Sequence, residues 1–249
     1  MRRNSVKDVK RLLRKSGECR SGFEAAFGLT ALSPPMTALM NNVIRMAKQG
    51  YFVILTGHHG DLIEAPALFK EAARRLDLHD YMEIPISKKG MLYEADGYEG
   101  LFFPNSESLT IDDQLYLTNT LGNHLRLILL CFENRDGLEP NEHFLNCLLV
   151  KTDRILSWPG WQDRLEDHLP LVWAAKRFLE NQEKIILNID TEIEQFLCCT
   201  RWRSTAHLIE ALLKALSNHE RKTGSLVKLT MEDFLVSKGS QKTTVASIK

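Results

Sequence analysis

Tyr51-Phe52-Val53-Ile54-Leu55-Thr56-Gly57-His58-His59-Gly60-Asp61-Leu62-Ile63-Glu64 is the stretch on which the fold of this chain turns. Residues 51–56 form a continuous, largely apolar run that ends at Gly57. A run of that length without alternation suits a strand covered on both faces. Residues 65–78 then carry Leu68, Ala72 and Leu76 at helical spacing. Strand, glycine-containing loop and helix follow in order, which is the first half of a βαβ unit.

Upstream, Ser33-Pro34-Pro35 places proline where a helix begins, and Met36, Leu39, Met40, Val43, Ile44 and Ala47 give a 3.6-period stripe ending near Gly50. Downstream, Gly100-Leu101-Phe102-Phe103 is a second strand, residues 110–122 read as helix, and residues 125–132 are a third strand. Strands alternating with helices predict a parallel sheet covered on both faces. After Trp158-Pro159-Gly160 the pattern changes: residues 166–181, 189–199 and 205–219 all read as helix with no strand between them, which predicts a small helical bundle. Burial against the α/β part is expected for Trp158 and Trp161. Asp190, Glu192 and Glu194 favour a helix N-terminus by capping and dipole rather than forming a catalytic pair.

The 249 residues carry 32 Lys+Arg and 32 Asp+Glu, a net charge of zero, with 44% hydrophobic residues. That balance excludes a bulk polyanion binder and fits a globular chain of one or two domains. The neutrality is a cancellation: residues 1–20 balance at +6, residues 237–249 at +3, and the body between them at −9. Residues 2–15 read as a short basic amphipathic helix, so a weak nucleic-acid or acidic contact is to be sought at residues 2–20. No run reaches the roughly 18 apolar residues of a membrane span, and the basic start lacks a signal-peptide apolar core, so no membrane contact and a cytoplasmic location are expected. Five cysteines, without a CxxC pair, read as buried free thiols.

Six local motifs stand in a recognisable order. Ser33-Pro34-Pro35-Met36 is similar to an S-P-x-M helix start, and Val53 to Gly60 to a strand with its phosphate loop. Glu94-Ala95-Asp96-Gly97-Tyr98-Glu99-Gly100-Leu101-Phe102-Phe103 resembles E-A-x-G-G-T-L-F-L. Leu125-Arg126-Leu127-Ile128, with Asn134-Arg135-Asp136 somewhat late, resembles V-R-L-I-A-A-T-N-R-D. Arg164-Leu165-Glu166-Asp167-His168-Leu169-Pro170-Leu171 resembles R-x-E-D-I-P-L-L, and Trp202-Arg203-Ser204-Thr205-Ala206-His207-Leu208-Ile209 resembles W-P-G-N-V-R-E-L. Across residues 30–235 the chain resembles the central AAA+ domain of NtrC-type, sigma-54-dependent bacterial enhancer-binding proteins. The resemblance implies an α/β fold, an AAA+-like three-layer αβα parallel sheet followed by a small helical lid domain. With the basic start and the polar end read from their composition, the expected division is a basic arm at 1–28, the α/β domain at 29–165, the lid at 166–236 and a flexible tail at 237–249.

The departures from that pattern are chemical. A phosphate loop reads G-x-x-x-x-G-K-[ST] because glycines let backbone N–H groups face the phosphates, the lysine reaches the β/γ oxygens and the hydroxyl holds Mg²⁺. Here Gly57, His58, His59, Gly60 and Asp61 keep the first part, while Leu62, Ile63 and Glu64 take the last positions. Isoleucine cannot neutralise a triphosphate. The family's acidic pair after L-F-L is replaced by Pro104-Asn105, and the lid arginine that senses the γ-phosphate corresponds to His207. Residues 144–152 offer Asn146 and Lys151 but no arginine finger. The family's sigma-54 loop would fall where this chain has residues 85–91, and no helix-turn-helix follows residue 235. The expectation is a degenerate nucleotide site formed by Gly57 to Glu64 and His207, no ATP hydrolysis, and no cofactor, ATP being the one candidate the resemblance brings. What remains is a pseudo-ATPase scaffold that works by protein contact in bacterial transcription regulation, its partner an active AAA+ relative or the transcription machinery.

Three other readings were weighed. An ATP-binding switch without hydrolysis keeps the same fold. A caspase-like cysteine hydrolase would use His59 at the end of one strand to activate Cys131 at the end of another. A metal corner at His58-His59-Gly60-Asp61 lacks a third ligand placed by the sequence, so no metal is expected.

Overall fold

A computed structural model describes residues 29–50, 52–58, 60–84, 95, 97–119, 125–134, 139–219 and 222–235. The basic arm, the tail, residues 85–91 and His59 lie outside the described residues. The chain divides into two compact units, one spanning Phe27–Asp167 and the other holding the described residues from His168 onward.

In the first unit, α1 (Pro34–Lys48) starts on its prolines and buries Met36, Leu39, Met40, Val43, Met46 and Ala47. β1 (Val53–His58) is buried over its first five residues and emerges at His58. A 3-10 turn (Leu62–Glu64) leads into α2 (Ala65–Arg75). β2 (Tyr81–Glu83), β3 (Gly100–Phe103), α3 (Ile111–Asn119), β4 (Leu127–Asn134), the short helices α4 (Pro140–His143) and α5 (Asn146–Leu149), and β5 (Ile155–Ser157) complete it. The sheet order is β2-β3-β4-β1-β5, and every pairing is parallel. The apolar run that begins this reading is therefore the next-to-edge strand, held between β4 and β5.

Alternation along β1 makes the three layers. Val53 and Leu55 face one side, where they join Met36, Met40, Leu68, Phe69 and Ala72 of α1 and α2. Ile54 faces the other, where it joins Leu117 of α3 and Leu148 of α5. The expected strands at residues 51–56, 100–103 and 125–132 are β1, β3 and β4. β2 and β5 escape a sequence reading because they are three-residue edge strands of mixed burial, too short to show a period.

The second unit holds α6 (His168–Glu183), β6 (Ile186–Asn188), α7 (Thr191–Cys199), α8 (Thr205–Leu216), β7 (Leu226–Lys228) and α9 (Met231–Leu235). It is mainly helical, but the expectation that no strand interrupts it is corrected: β6 and β7 pair in parallel, Ile186 with Leu226 through Asn188 with Lys228. Only the middle residue of each strand, Leu187 and Val227, is buried, so the sequence carries one apolar position per strand and no pattern. Two side chains set helix starts here. Asp190 accepts the Ile193 N–H at 3.0 Å, and Ser204 accepts the His207 N–H at 3.4 Å. No helix among the described residues is long and apolar enough to cross a membrane.

Candidate functional site

The carboxyl ends of parallel strands are where open α/β sheets place their ligand sites. In this unit β1 ends at His58, and its neighbour β4 ends opposite it at Asn134. The turn that leaves β1 is the expected phosphate loop, and its geometry is that of a closed turn. Asp61 N–H donates to the His58 carbonyl at 2.9 Å, while the Asp61 carboxylate Oδ2 accepts the His58 N–H at 3.2 Å. Gly60 provides the left-handed backbone the turn needs, with φ of 82°.

The same turn brings Leu62 back over the strand. A Cβ built on Gly57 would stand 3.0 Å from both Cγ and Cδ2 of Leu62 and 3.2 Å from Cβ of Trp158. Leu62 packs against the core that contains Val53, Leu55, Cys131 and Trp158. The glycine expected to open a phosphate loop is present, and the Leu62 isobutyl group sits against it.

Asp61 is only 4% exposed. Burial raises its carboxyl pKa from 3.8 to about 6, against the lowering effects of the His58 N–H and of the charges of His58 and Arg164. The buried anion next to it, Glu64, has a full partner. Arg164 Nη1 and Nη2 donate to its Oε1 and Oε2 at 2.8 and 3.1 Å. Arg164 Nε donates to Asp167 Oδ2 at 3.0 Å, and Nη2 also donates to the Thr30 carbonyl at 2.9 Å. Asp167 in turn accepts the Leu32 and Ser33 N–H groups at 2.8 and 3.0 Å and the Ser33 hydroxyl at 2.7 Å. Arg164 is 2% exposed and lies 5.8 Å from the centroid of the Trp158 ring. Burial opposes its charge, but the bonds to Glu64 and Asp167 outweigh that and hold its pKa above the ordinary arginine value.

This ion network is the feature that sequence reading missed. Glu64, Arg164, Asp167 and Ser33 all fall inside quoted motifs, but nothing in one sequence pairs residues 100 and 134 positions apart. The only signal was the charge of three motif residues, Glu64, Arg164 and Asp167.

Of the expected nucleotide-site residues, the structure brings Gly57, His58, Gly60, Asp61, Leu62, Ile63 and Glu64 together in one turn. His59 lies outside the described residues. His207 belongs to α8 in the second unit, where its Nδ1 lies 3.0 Å from the Ser204 hydroxyl. After β3, Pro104 and Asn105 lead into a 3-10 turn (Ser106–Ser108). Ser106 there is buried and donates to the Cys131 carbonyl at 2.8 Å. Lys151, the one cation in the stretch searched for an arginine finger, donates to the Thr118 carbonyl at 2.7 Å and lies over the Phe52 ring.

The cysteine-hydrolase alternative meets a correction. Cys131 is not at a strand end but inside β4, opposite Leu55, and wholly buried. Burial, with the charges of Glu107 and Glu83, pushes its thiol well above the ordinary value. A nucleophilic thiolate needs the opposite environment. Among the described residues, no group of three or more His, Cys, Asp or Glu side chains is arranged to hold a metal ion.

No protein-family model and no curated protein matches this sequence. Among solved structures the chain is similar to NtrX from Brucella abortus, with a TM-score of 0.58 and 18% identity over 93% of this chain and 61% of that one. The same protein in complex with ATP matches with a TM-score of 0.57 at 18% identity, over 93% and 60% of the two chains. Domain III of the Thermotoga maritima replication initiation protein DnaA matches with a TM-score of 0.56 at 15% identity, over 86% of this chain and 95% of that one. The chain spans about three fifths of the NtrX chains it matches. The fold is AAA+-like: a three-layer αβα unit with a five-stranded parallel sheet, followed by a small, mainly helical unit.

Proposed function

We propose that this chain is an NtrC-type AAA+ module whose nucleotide site has closed, and that it acts by protein contact in bacterial transcription regulation, in the cytoplasm. Residues 29–165 form its α/β domain and residues 166–236 its lid. Its partner is an active AAA+ relative or the transcription machinery. The observation that carries the reading is Leu62 seated on Gly57, with Cγ and Cδ2 3.0 Å from the Cβ position of that glycine. A phosphate cradle needs that face of the backbone bare.

Two further features support it. The Asp61 carboxyl already takes the His58 N–H, a backbone donor that a phosphate oxygen would need. At the position of the loop hydroxyl, Glu64 is fully engaged by Arg164. No cation replaces the lysine at Ile63.

Calorimetric titration of the whole chain with Mg-ATP and Mg-ADP tests this. The expected result is no heat of binding at micromolar nucleotide. Micromolar, Mg²⁺-dependent binding would overturn the closed site, and turnover of ATP lost on changing Asp61 or Glu64 would overturn the non-enzymatic reading altogether.

A further inference from the structure

The turn after β1 contains two buried acids in different situations. Glu64 has the Arg164 guanidinium in a two-bond grip. Asp61, three residues earlier, is 4% exposed, accepts the His58 backbone N–H and, among the described residues, makes no ion pair. We propose that Asp61 is a proton-controlled latch on this turn: the protonated carboxyl stays buried against the His58 amide and holds the turn shut, while the ionised form favours release to water. The inference rests on the reading of Gly57 to Glu64 as a closed phosphate turn, and it names how that closure is regulated.

Among the described residues, the charged and titratable groups that face Asp61 come from three segments: His58 at the end of β1, Glu64 in the 3-10 turn and Arg164 before Asp167. Arg164 is already shared between Glu64 and Asp167, so its attraction for a third carboxylate is partly spent. Glu64 repels it. The hydrogen bond from the neutral His58 N–H does not compensate for removing a carboxylate from water. Consistent with this, the Asp61 carboxyl titrates at about 6 when buried, against 3.8 when free.

The sign follows from linkage. The closed turn binds the proton more tightly than the open one, so acidification tightens the turn and neutral pH loosens it. Between pH 5 and 7.5 the opening constant should rise about tenfold on these two values. Leu62, whose packing does not titrate, keeps the turn closed on both sides of the transition.

Amide hydrogen exchange of the full chain, corrected for the intrinsic exchange rate at each pH, tests the latch at the His58 N–H. Its protection should fall about tenfold from pH 5 to 7.5, with the change complete by about pH 7. Asp61→Asn should flatten the profile, and His58→Gln should keep it, since that change leaves the backbone N–H and the Asp61 carboxyl in place. A flat profile in the unaltered chain, a profile of the opposite sign, or one that survives Asp61→Asn would overturn the proposal. Mg-ATP titration of the same samples separates the two readings. Binding at pH 7.5 overturns the closed site and leaves the latch standing, whereas a flat profile overturns the latch whichever way the titration goes.

Discussion

Arg164 grips Glu64 through two hydrogen bonds of 2.8 and 3.1 Å across 100 residues of chain, and with its Nε it holds Asp167 as well. One buried cation thus fastens the start of α2, the segment 30–33 that enters α1, and the last residues of the first unit. Removing one partner of a buried ion pair leaves an uncompensated charge, which costs about 3–5 kcal/mol. Arg164→Met strands two carboxylates and should lower the unfolding free energy by that amount in a denaturant titration. Arg164→Lys, with one point charge in place of a planar fork, should recover only part of it. Adding Glu64→Gln to Arg164→Met should recover more than Arg164→Met alone retains; no coupling between the two would mean that the network holds nothing.

The contact of Leu62 with Gly57 makes a second prediction. A methyl group at residue 57 would meet the movable end of Leu62 at 3.0 Å, but also Trp158 Cβ, which is fixed to its own backbone, at 3.2 Å. Gly57→Ala should therefore cost about 1–3 kcal/mol, the range of overpacking in a dense core. Combining it with Leu62→Ala should relieve the Leu62 part and leave the Trp158 part. Full additivity of the two costs in thermal unfolding would show that Leu62 does not rest on the glycine.

These two sites show what one sequence carries and what it does not. The run from Val53 to Thr56 announced a buried parallel strand because both its faces are covered, Leu55 by α1 and α2 and Ile54 by α3 and α5. Ser33-Pro34-Pro35 announced α1 because proline fits a helix start. Edge strands Tyr81–Glu83 and Ile155–Ser157, and the pair Ile186–Asn188 and Leu226–Lys228, stayed hidden because each is three residues long. In the expected phosphate loop, an isoleucine at 63 where the resemblance puts a lysine was legible as missing charge. The hold of Arg164 on Glu64 was not, because which buried charges pair is decided by the fold and not by spacing.

Asp61 also bears on global stability, with a definite sign. Its carboxyl titrates at about 6 in the folded chain and at 3.8 when free, so between those values the folded chain binds more protons and loses stability as pH rises. By about pH 7 the loss is complete, and at about 1.4 kcal/mol per pH unit it comes to about 3 kcal/mol. Asp61→Asn keeps an acceptor for the His58 N–H and removes the charge. It should stabilise the chain by up to about 3 kcal/mol at pH 7.5 and by about half as much at pH 5, measured as the shift in denaturant midpoint at unchanged slope. Equal effects at the two pH values would assign the gain to packing and not to ionisation.

Thiol chemistry distinguishes a core cysteine from a nucleophile. Cys131 is wholly buried in β4 opposite Leu55, in the core that also holds Phe102, and burial together with the Glu107 and Glu83 charges raises its pKa. Cys199 is exposed at the end of α7, beside the half-buried Cys198, whose thiol burial also raises. With an alkylating reagent at pH 8, Cys199 should be modified before Cys147, Cys198 and Cys131, and Cys131 no faster than the chain unfolds, since reagent reaches it only through global opening. Site-resolved mass spectrometry reads the order. Cys131→Ala should cost about 1 kcal/mol, the loss of a small buried group, and change nothing else. Fast, pH-independent modification of Cys131 in the folded chain would mean a lowered thiol pKa, and with it a catalytic role for that strand.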